Sequence, residues 1–413
     1  MSLHPMITSL RHHKLTTLLL MLQVTLTAGI VCNVASLIAT RMENVSVVTG
    51  VAEAGLSTLR VNDVAPGVEP LSRHAQDLAL LQAIPGVQAV AAVRGSLPLN
   101  QNGWSSIGCD SKADQERERQ LHSDKAPGCS RVSIYHGGPG QLTVLGLKLV
   151  EGRDFQPSEY VRPGPNDMAP VPAAIVSHSL AERLYPGQDA LGKGVFVNDK
   201  TIPIVGIVET LVRPSLGEAA SDGSSMLYPV IPDKASVLYL LRSDPKDQAR
   251  VLRDAQAVLM KAEPQRIIQD AESYSELRHA YFQRDYTMIG LLLASALGLL
   301  TVTVIGIAGL AGFWVQQRTR QIGIRRAIGA TRRDILRHFL LENLLIVGTG
   351  VALGLGLAVA MNMLLVRSYG VAPLPLFYLP VTALLLVTLG QLAVLDPALH
   401  ASRIPPATAT RNL

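Results

Sequence analysis

Residues 316–342 read Gln316-Gln317-Arg318-Thr319-Arg320-Gln321-Ile322-Gly323-Ile324-Arg325-Arg326-Ala327-Ile328-Gly329-Ala330-Thr331-Arg332-Arg333-Asp334-Ile335-Leu336-Arg337-His338-Phe339-Leu340-Leu341-Glu342. Long apolar stretches lie on both sides of them. Seven arginines crowd this segment, and Asp334 is its one acid before Glu342. Basic residues accumulate on the cytoplasmic side of membrane spans, so the hairpin is expected inside the cell. The loop after the next apolar stretch offers only Arg367, which puts that loop outside.

Four stretches, 15–40, 286–315, 343–366 and 371–395, are nearly free of charge, and about 20 apolar residues suffice to cross a bilayer. The first is longer than a signal-peptide core and has no convincing cleavage site, so it reads as an uncleaved anchor. These spans place 1–14 and 396–413 in the cytoplasm, 316–342 as a cytoplasmic stalk and coupling helix, and 41–285 as one large outer domain. The expected fold class is an α-helical membrane protein with four transmembrane helices and an α+β extracytoplasmic domain inserted between the first and second. A mean hydropathy of +0.27 agrees with a chain whose first partner is the lipid bilayer.

A net charge of +5 over 413 residues could suggest a polyanion partner, but aromatic residues are only 4%, which leaves no platform for stacking bases. No nucleic acid is expected. Nor is a cofactor, a metal or a catalytic constellation: the ten histidines are scattered, and no HExxH, GxSxG or zinc-spaced cysteine pair occurs. Gly187-Gln188-Asp189-Ala190-Leu191-Gly192-Lys193-Gly194 fits most of a P-loop. Gly194, however, stands where a hydroxyl should hold magnesium, and a turn between helix and strand explains the segment better. No acid or base interrupts the four stretches, so no ion relay is visible.

Of the three cysteines, Cys32 sits in the first apolar stretch as a small packing residue. Cys109 and Cys129 lie in the outer domain. A disulfide there would contribute about 3 kcal/mol in an oxidising compartment; two unpaired thiols are the alternative. In the outer domain, 75–83 and 244–262 read as helices, and 179–184 as a short one. Residues 87–93, 173–176, 194–197, 202–208 and 236–241 read as strands, and 103–140 as polar and irregular. Small residues recur at four-residue spacing at Gly290, Ala294 and Gly298, and at Gly350, Gly354 and Ala358, with Gly348, Ala352 and Gly356 on the next ridge. Such spacing lets helices approach closely in lipid.

Within the hairpin, the second membrane helix should run on past the bilayer, and Gly329 is placed to end it. Thr331 then caps the next helix, with Asp334 as capping-box partner. Ile324, Ala327 and Ile328 make a small apolar patch before the turn. Read from physics alone, this is either an elbow that transmits a push or a basic loop with snorkelling arginines.

The hairpin from Arg318 to Ile335 resembles the signature of the MacB/FtsX-like ABC transporter permeases, and so does the ending Pro397-Ala398-Leu399-His400-Ala401-Ser402-Arg403-Ile404-Pro405-Pro406. Leu145-Gly146-Leu147-Lys148-Leu149-Val150-Glu151-Gly152-Arg153-Asp154-Phe155 is similar to the MacB-type outer domain. Gln321 departs from the family's usual glutamate, which puts in doubt any ion pair that acid makes. The resemblance implies a permease without a nucleotide site of its own, hence no enzyme activity of its own. It would sit in the bacterial inner membrane and work with a separate ABC ATPase and a second permease copy or paralogue. It further implies a periplasmic adaptor (membrane fusion protein) and a TolC-like outer-membrane duct. ATPase coupling would fall on Arg325, Ala327, Ile328, Gly329, Ala330, Thr331, Arg332 and Asp334. The implied function is mechanotransmission for efflux of a peptide, lipopeptide or other amphiphile. The alternatives are a LolC/LolE-like lipoprotein-releasing permease and an FtsX-like scaffold for cell-wall hydrolases.

Overall fold

The computed structural model describes residues 14–63, 69–121, 128–163, 171–216, 223–369 and 374–403. The two expected cytoplasmic tails therefore lie largely outside the described residues. In chain order the elements are α1 (Lys14–Val45), β1 (Leu56–Asn62), α2 (Pro70–Gln82), β2 (Val87–Val93), β3 (Trp104–Cys109), α3 (Lys112–Leu121), β4 (Cys129–Gly137) and α4 (Gln141–Leu145). There follow β5 (Leu149–Gly152), β6 (Ala174–Ser177), α5 (His178–Leu184), β7 (Gly194–Val197), β8 (Lys200–Val208), β9 (Ser225–Pro229), β10 (Ser236–Ser243), α6 (Gln248–Ala262) and β11 (Ile267–Ser273). The last four are α7 (Tyr274–Gln317), α8 (Thr319–Ala327), α9 (Arg332–Tyr369) and α10 (Tyr378–Arg403). Two compact units result: Ser46–Arg284, and the residues on either side of it.

The Ser46–Arg284 unit has two parts. Strands β11-β1-β10-β2 lie side by side in that order, all antiparallel. With α2 between β1 and β2, and α6 between β10 and β11, this is the split βαβ arrangement of ferredoxin-like folds. Its core, among others Leu59, Leu81, Tyr239, Val251, Ala255 and Leu259, is formed where α2 and α6 lay apolar stripes on the sheet. The second part is inserted between β2 and β10. There β4 pairs β3, β3 touches β7, and β7, β8, β6 and β9 follow, with β9 returning parallel to β4. The ring so formed encloses Val132, Ala174, Val176, Val195, Ile204 and Met226.

In the other unit, α1, α7, α9 and α10 are the helices, among the described residues, long and apolar enough to cross a membrane. They share a core that includes Leu20, Val24, Ala28, Ile307, Val347, Val351 and Leu386. The seam between α1 and α9 is backbone-close. A Cβ on Gly354 would lie 2.5 Å from Ala28 Cβ and 2.6 Å from the Thr25 carbonyl oxygen. Thr25 Oγ1 donates to the Gly350 carbonyl (3.1 Å) and Asn33 Nδ2 to that of Ala358 (3.2 Å). The small residues Gly350, Gly354 and Ala358 therefore have their partner within the chain. Gly290, Gly298, Gly348 and Gly356 have nothing within 4 Å of where a Cβ would stand.

The segment 103–140 is not irregular: it holds β3, α3 and β4. Its helix Lys112–Leu121 is polar apart from Ala113 and Leu121 and is started by Ser111, whose Oγ accepts from Asp114 N (3.2 Å), so hydrophobic periodicity could not reveal it. The helix expected at 75–83 begins earlier, at Pro70, a residue suited to the first helical turn. The helix expected at 244–262 begins at Gln248, because Asp244 Oδ1 accepts from Lys246 N (3.1 Å) in a turn. The apolar helices also overrun the apolar stretches. α7 starts at Tyr274, whose buried hydroxyl donates to the Pro98 carbonyl (3.0 Å). α10 runs from Tyr378 to Arg403, later than 371–395, with Pro380 in its first turn.

Candidate functional site

The site is the elbow between α7 and α9. The long helix does not run unbroken to Gly329 as expected; it turns at Arg318 and restarts as α8. Arg318 Nη1 donates to both carboxylate oxygens of Glu342, at 2.9 and 2.8 Å. The Arg318 side chain keeps 15% of its exposure and that of Glu342 only 3%. A carboxylate this deep requires a hydrogen-bonded cation, and the pair ties the entry of α8 to the third turn of α9.

α8 places Ile322 inward, 5% exposed, in one cluster with Trp314, Val315, Ile335 and Phe339. Its other face carries Ile324, 49% exposed. Helical bonding ends with Ile328 N donating to the Ile324 carbonyl (3.1 Å). Gly329 then takes φ +109° with open space around it, a conformation that a side chain would strain. Thr331 and Asp334 form a reciprocal cap. Asp334 N donates to Thr331 Oγ1 (3.3 Å), and Thr331 N and Oγ1 donate to Asp334 Oδ2 (3.0 and 2.6 Å). Two of the unpaired N–H groups at the start of α9 are thereby satisfied.

At the tip, Ile328 is 82% exposed. An isoleucine so exposed on a doubly fixed turn is an apolar knob left uncovered by the described residues. Ala327, Gly329, Arg332, Arg333 and Asp334 are also exposed, and Ala330 half-buried. The structure brings Ala327 to Asp334 together on one turn. Arg325 lies in α8, its side chain outside the described residues. Sequence reasoning overlooked Glu342: an acid at the border of an apolar stretch, with arginines on the facing segment, was the available signal.

Elsewhere, Gly187 to Lys193 forms the loop between α5 and β7. Lys193 Nζ donates to Gln188 Oε1 (2.7 Å) and lies 4.4 Å from the Tyr185 ring centroid, and a strand follows where a phosphate-binding loop needs a helix. Cys109 and Cys129 are joined by a disulfide across the β3–β4 pair. No group of three metal-binding side chains occurs among the described residues.

The family model of the MacB-like periplasmic core domain matches residues 17–273, and that of the FtsX-like permease C-terminal region matches 293–406. The chain belongs to the MacB/FtsX-like permease family. The macrolide export ATP-binding/permease protein MacB of Neisseria gonorrhoeae (strain ATCC 700825 / FA 1090) is 28% identical over 237 residues. That alignment covers 56% of this chain and 36% of the relative, so this permease-family chain spans about a third of such relatives. The ABC transporter permease YknZ of Bacillus subtilis (strain 168) is 25% identical over 227 residues, 53% of this chain and 54% of YknZ. The periplasmic region of MacB from Actinobacillus actinomycetemcomitans aligns over 58% of this chain and 97% of its own length, at 12% identity and a TM-score of 0.34. At that score the likeness adds nothing to the assignment.

Proposed function

We propose that this chain is the membrane subunit of a MacB-like ABC exporter in a bacterial inner membrane. In this reading α1, α7, α9 and α10 span the bilayer, Ser46–Arg284 stands in the periplasm, and both termini and the elbow face the cytoplasm. A separate ABC ATPase closes on the elbow. Its stroke passes through α7, a single helix that begins in the Ser46–Arg284 unit and ends at Gln317. A second permease copy or paralogue completes the pair, and a periplasmic adaptor with a TolC-like duct carries the cargo outward. That cargo is a peptide, lipopeptide or other amphiphile.

The observation that carries the reading is the 82% exposure of Ile328 on an elbow fixed at both ends. Gly329 sets the turn, the Thr331–Asp334 cap stiffens the start of α9, and the Arg318–Glu342 pair ties α8 to α9. A load applied at Ile328 then moves the ends of α7 and α9 together, since packed helices shift as bodies. Burying the isoleucine in a cleft of the ATPase is worth about 2 kcal/mol, roughly 30-fold in affinity.

The test is co-purification of the cognate ATPase with Ile328→Asp and Asp334→Lys. Both variants should insert in the membrane like the parent and lose most of the bound ATPase. Full retention of the ATPase by both would sink the assignment.

A further inference from the structure

The inserted ring of strands is unevenly filled. Along β3, Trp104, Ser106 and Gly108 point to one face, and register sets them against Ile134, Val132 and Ser130 of β4. At the Gly108 end the interior is full: a Cβ there would come within 2.8 Å of Val132 Cγ2 and 3.1 Å of Val195 Cγ1. β3 pairs with β7 at Cys109 and Phe196, beside the disulfide. Towards Trp104 no further register pair joins the two strands among the described residues, and Ser106, whose Oγ donates to Asn198 Oδ1 (3.5 Å), brings only a small side chain. A cavity of about 380 Å³ opens there, within the size range of small-molecule sites.

Its chemistry is segregated. Ile134, Val197, Ile202 and Val230, each at most 7% exposed, make an apolar floor. Trp104 and His136 form a wall, their rings edge to face at 5.9 Å. The rim is cationic: the Arg94 guanidinium lies 5.4 Å from the Trp104 ring centroid, and Lys200 is exposed beside Asn198. No acidic side chain lines the cavity among the described residues. Tyr228, 4% exposed, also lines it, and its phenolic oxygen meets no hydrogen-bond partner among the described residues. Burial pushes that phenol up, so it keeps its proton as a donor. A buried hydroxyl left without a partner costs free energy that a bound acceptor would recover.

We propose that this cavity binds a small anionic amphiphile, with the acidic head taken by Lys200, Arg94 and the Tyr228 hydroxyl and a short apolar body laid along the floor against Trp104. The site stands on the Ser46–Arg284 unit by itself and holds whether or not the elbow meets an ATPase.

The test uses the full chain in lipid nanodiscs with Trp314→Phe, which leaves Trp104 as the one tryptophan. Sodium octanoate is titrated against Trp104 emission, with octanamide as the uncharged counterpart. Octanoate should shift the emission saturably and octanamide should bind at least about tenfold more weakly, since a charge-assisted bond roughly doubles a neutral one. Lys200→Glu, at an exposed position, should weaken octanoate about tenfold or more, and Tyr228→Phe about three- to tenfold. Equal binding of octanoate and octanamide, absence of a saturable response, or parent-like titration of Lys200→Glu would each overturn the proposal. Should Tyr228→Phe fold poorly, the Lys200→Glu titration decides.

Discussion

Replacing Gly354 by alanine tests the seam on which the membrane unit is built. The added Cβ would stand 2.5 Å from Ala28 Cβ and 2.6 Å from the Thr25 carbonyl oxygen, where carbon contacts settle near 3.5–4.0 Å. Both obstacles are a helix backbone and its first side-chain atom, which cannot rotate away. α1 and α9 must therefore part by about 1 Å. That stretches the bonds from Thr25 to Gly350 and from Asn33 to Ala358, each worth roughly 0.6 kcal/mol in a membrane. With the overpacking of the seam, the cost is about 1–3 kcal/mol. Gly356→Ala is the control: two residues along the same helix, it has nothing within 4 Å, and alanine favours helix there by up to about 1 kcal/mol. Reversible unfolding in mixed micelles, read as the midpoint in sodium dodecyl sulfate fraction, should show Gly354→Ala less stable than the parent. Gly356→Ala should equal or exceed the parent. Equal stability of the two variants would refute the seam.

Glu342→Ala removes the carboxylate that Arg318 clasps and should destabilise the membrane unit by about 3–5 kcal/mol, seen as a lowered thermal midpoint in nanodiscs; unchanged stability would remove the pair as a tie. Cys129→Ser opens a cross-link of sequence separation 20 and should cost the outer unit about 3 kcal/mol, with dithiothreitol lowering the parent's midpoint and leaving the variant's untouched. Hydrogen bonds from Arg153 to both oxygens of Glu159 hold that carboxyl below its ordinary value. Its contribution is thus in place above the unfolded value near pH 4.3 and is lost as pH falls through the folded one. Thermal midpoints measured between about pH 5 and pH 3 should fall less steeply for Glu159→Gln than for the parent.

What the sequence made legible was what local signals encode. The charge-free stretches announce their helices because crossing a bilayer demands length and apolarity. The elbow was readable because Gly329, Thr331 and Asp334 act within a few residues of one another. β2 was placed to the residue, being apolar on both faces near its buried end. What stayed hidden depends on distant partners. Leu56 of β1 pairs Arg242 of β10 across the whole inserted ring, and no local pattern states that register. β11, Ile-Ile-Gln-Asp-Ala-Glu-Ser, is a half-exposed edge strand too polar to announce itself. The Arg318–Glu342 pair needed the fold of α8 onto α9, and the cavity beside Trp104 arises from an absence of volume that only the packed ring reveals.

Coupling to a cytoplasmic ATPase requires the elbow to lie inside the cell. Ile328→Cys, 82% exposed in the parent, can be probed in a Cys32→Ala background with a membrane-impermeant maleimide applied first to spheroplasts and then to inverted membrane vesicles. Labelling should be absent in spheroplasts and complete in inverted vesicles, and reduced there when the cognate ATPase is bound. Labelling of Ile328→Cys in intact spheroplasts would contradict that placement.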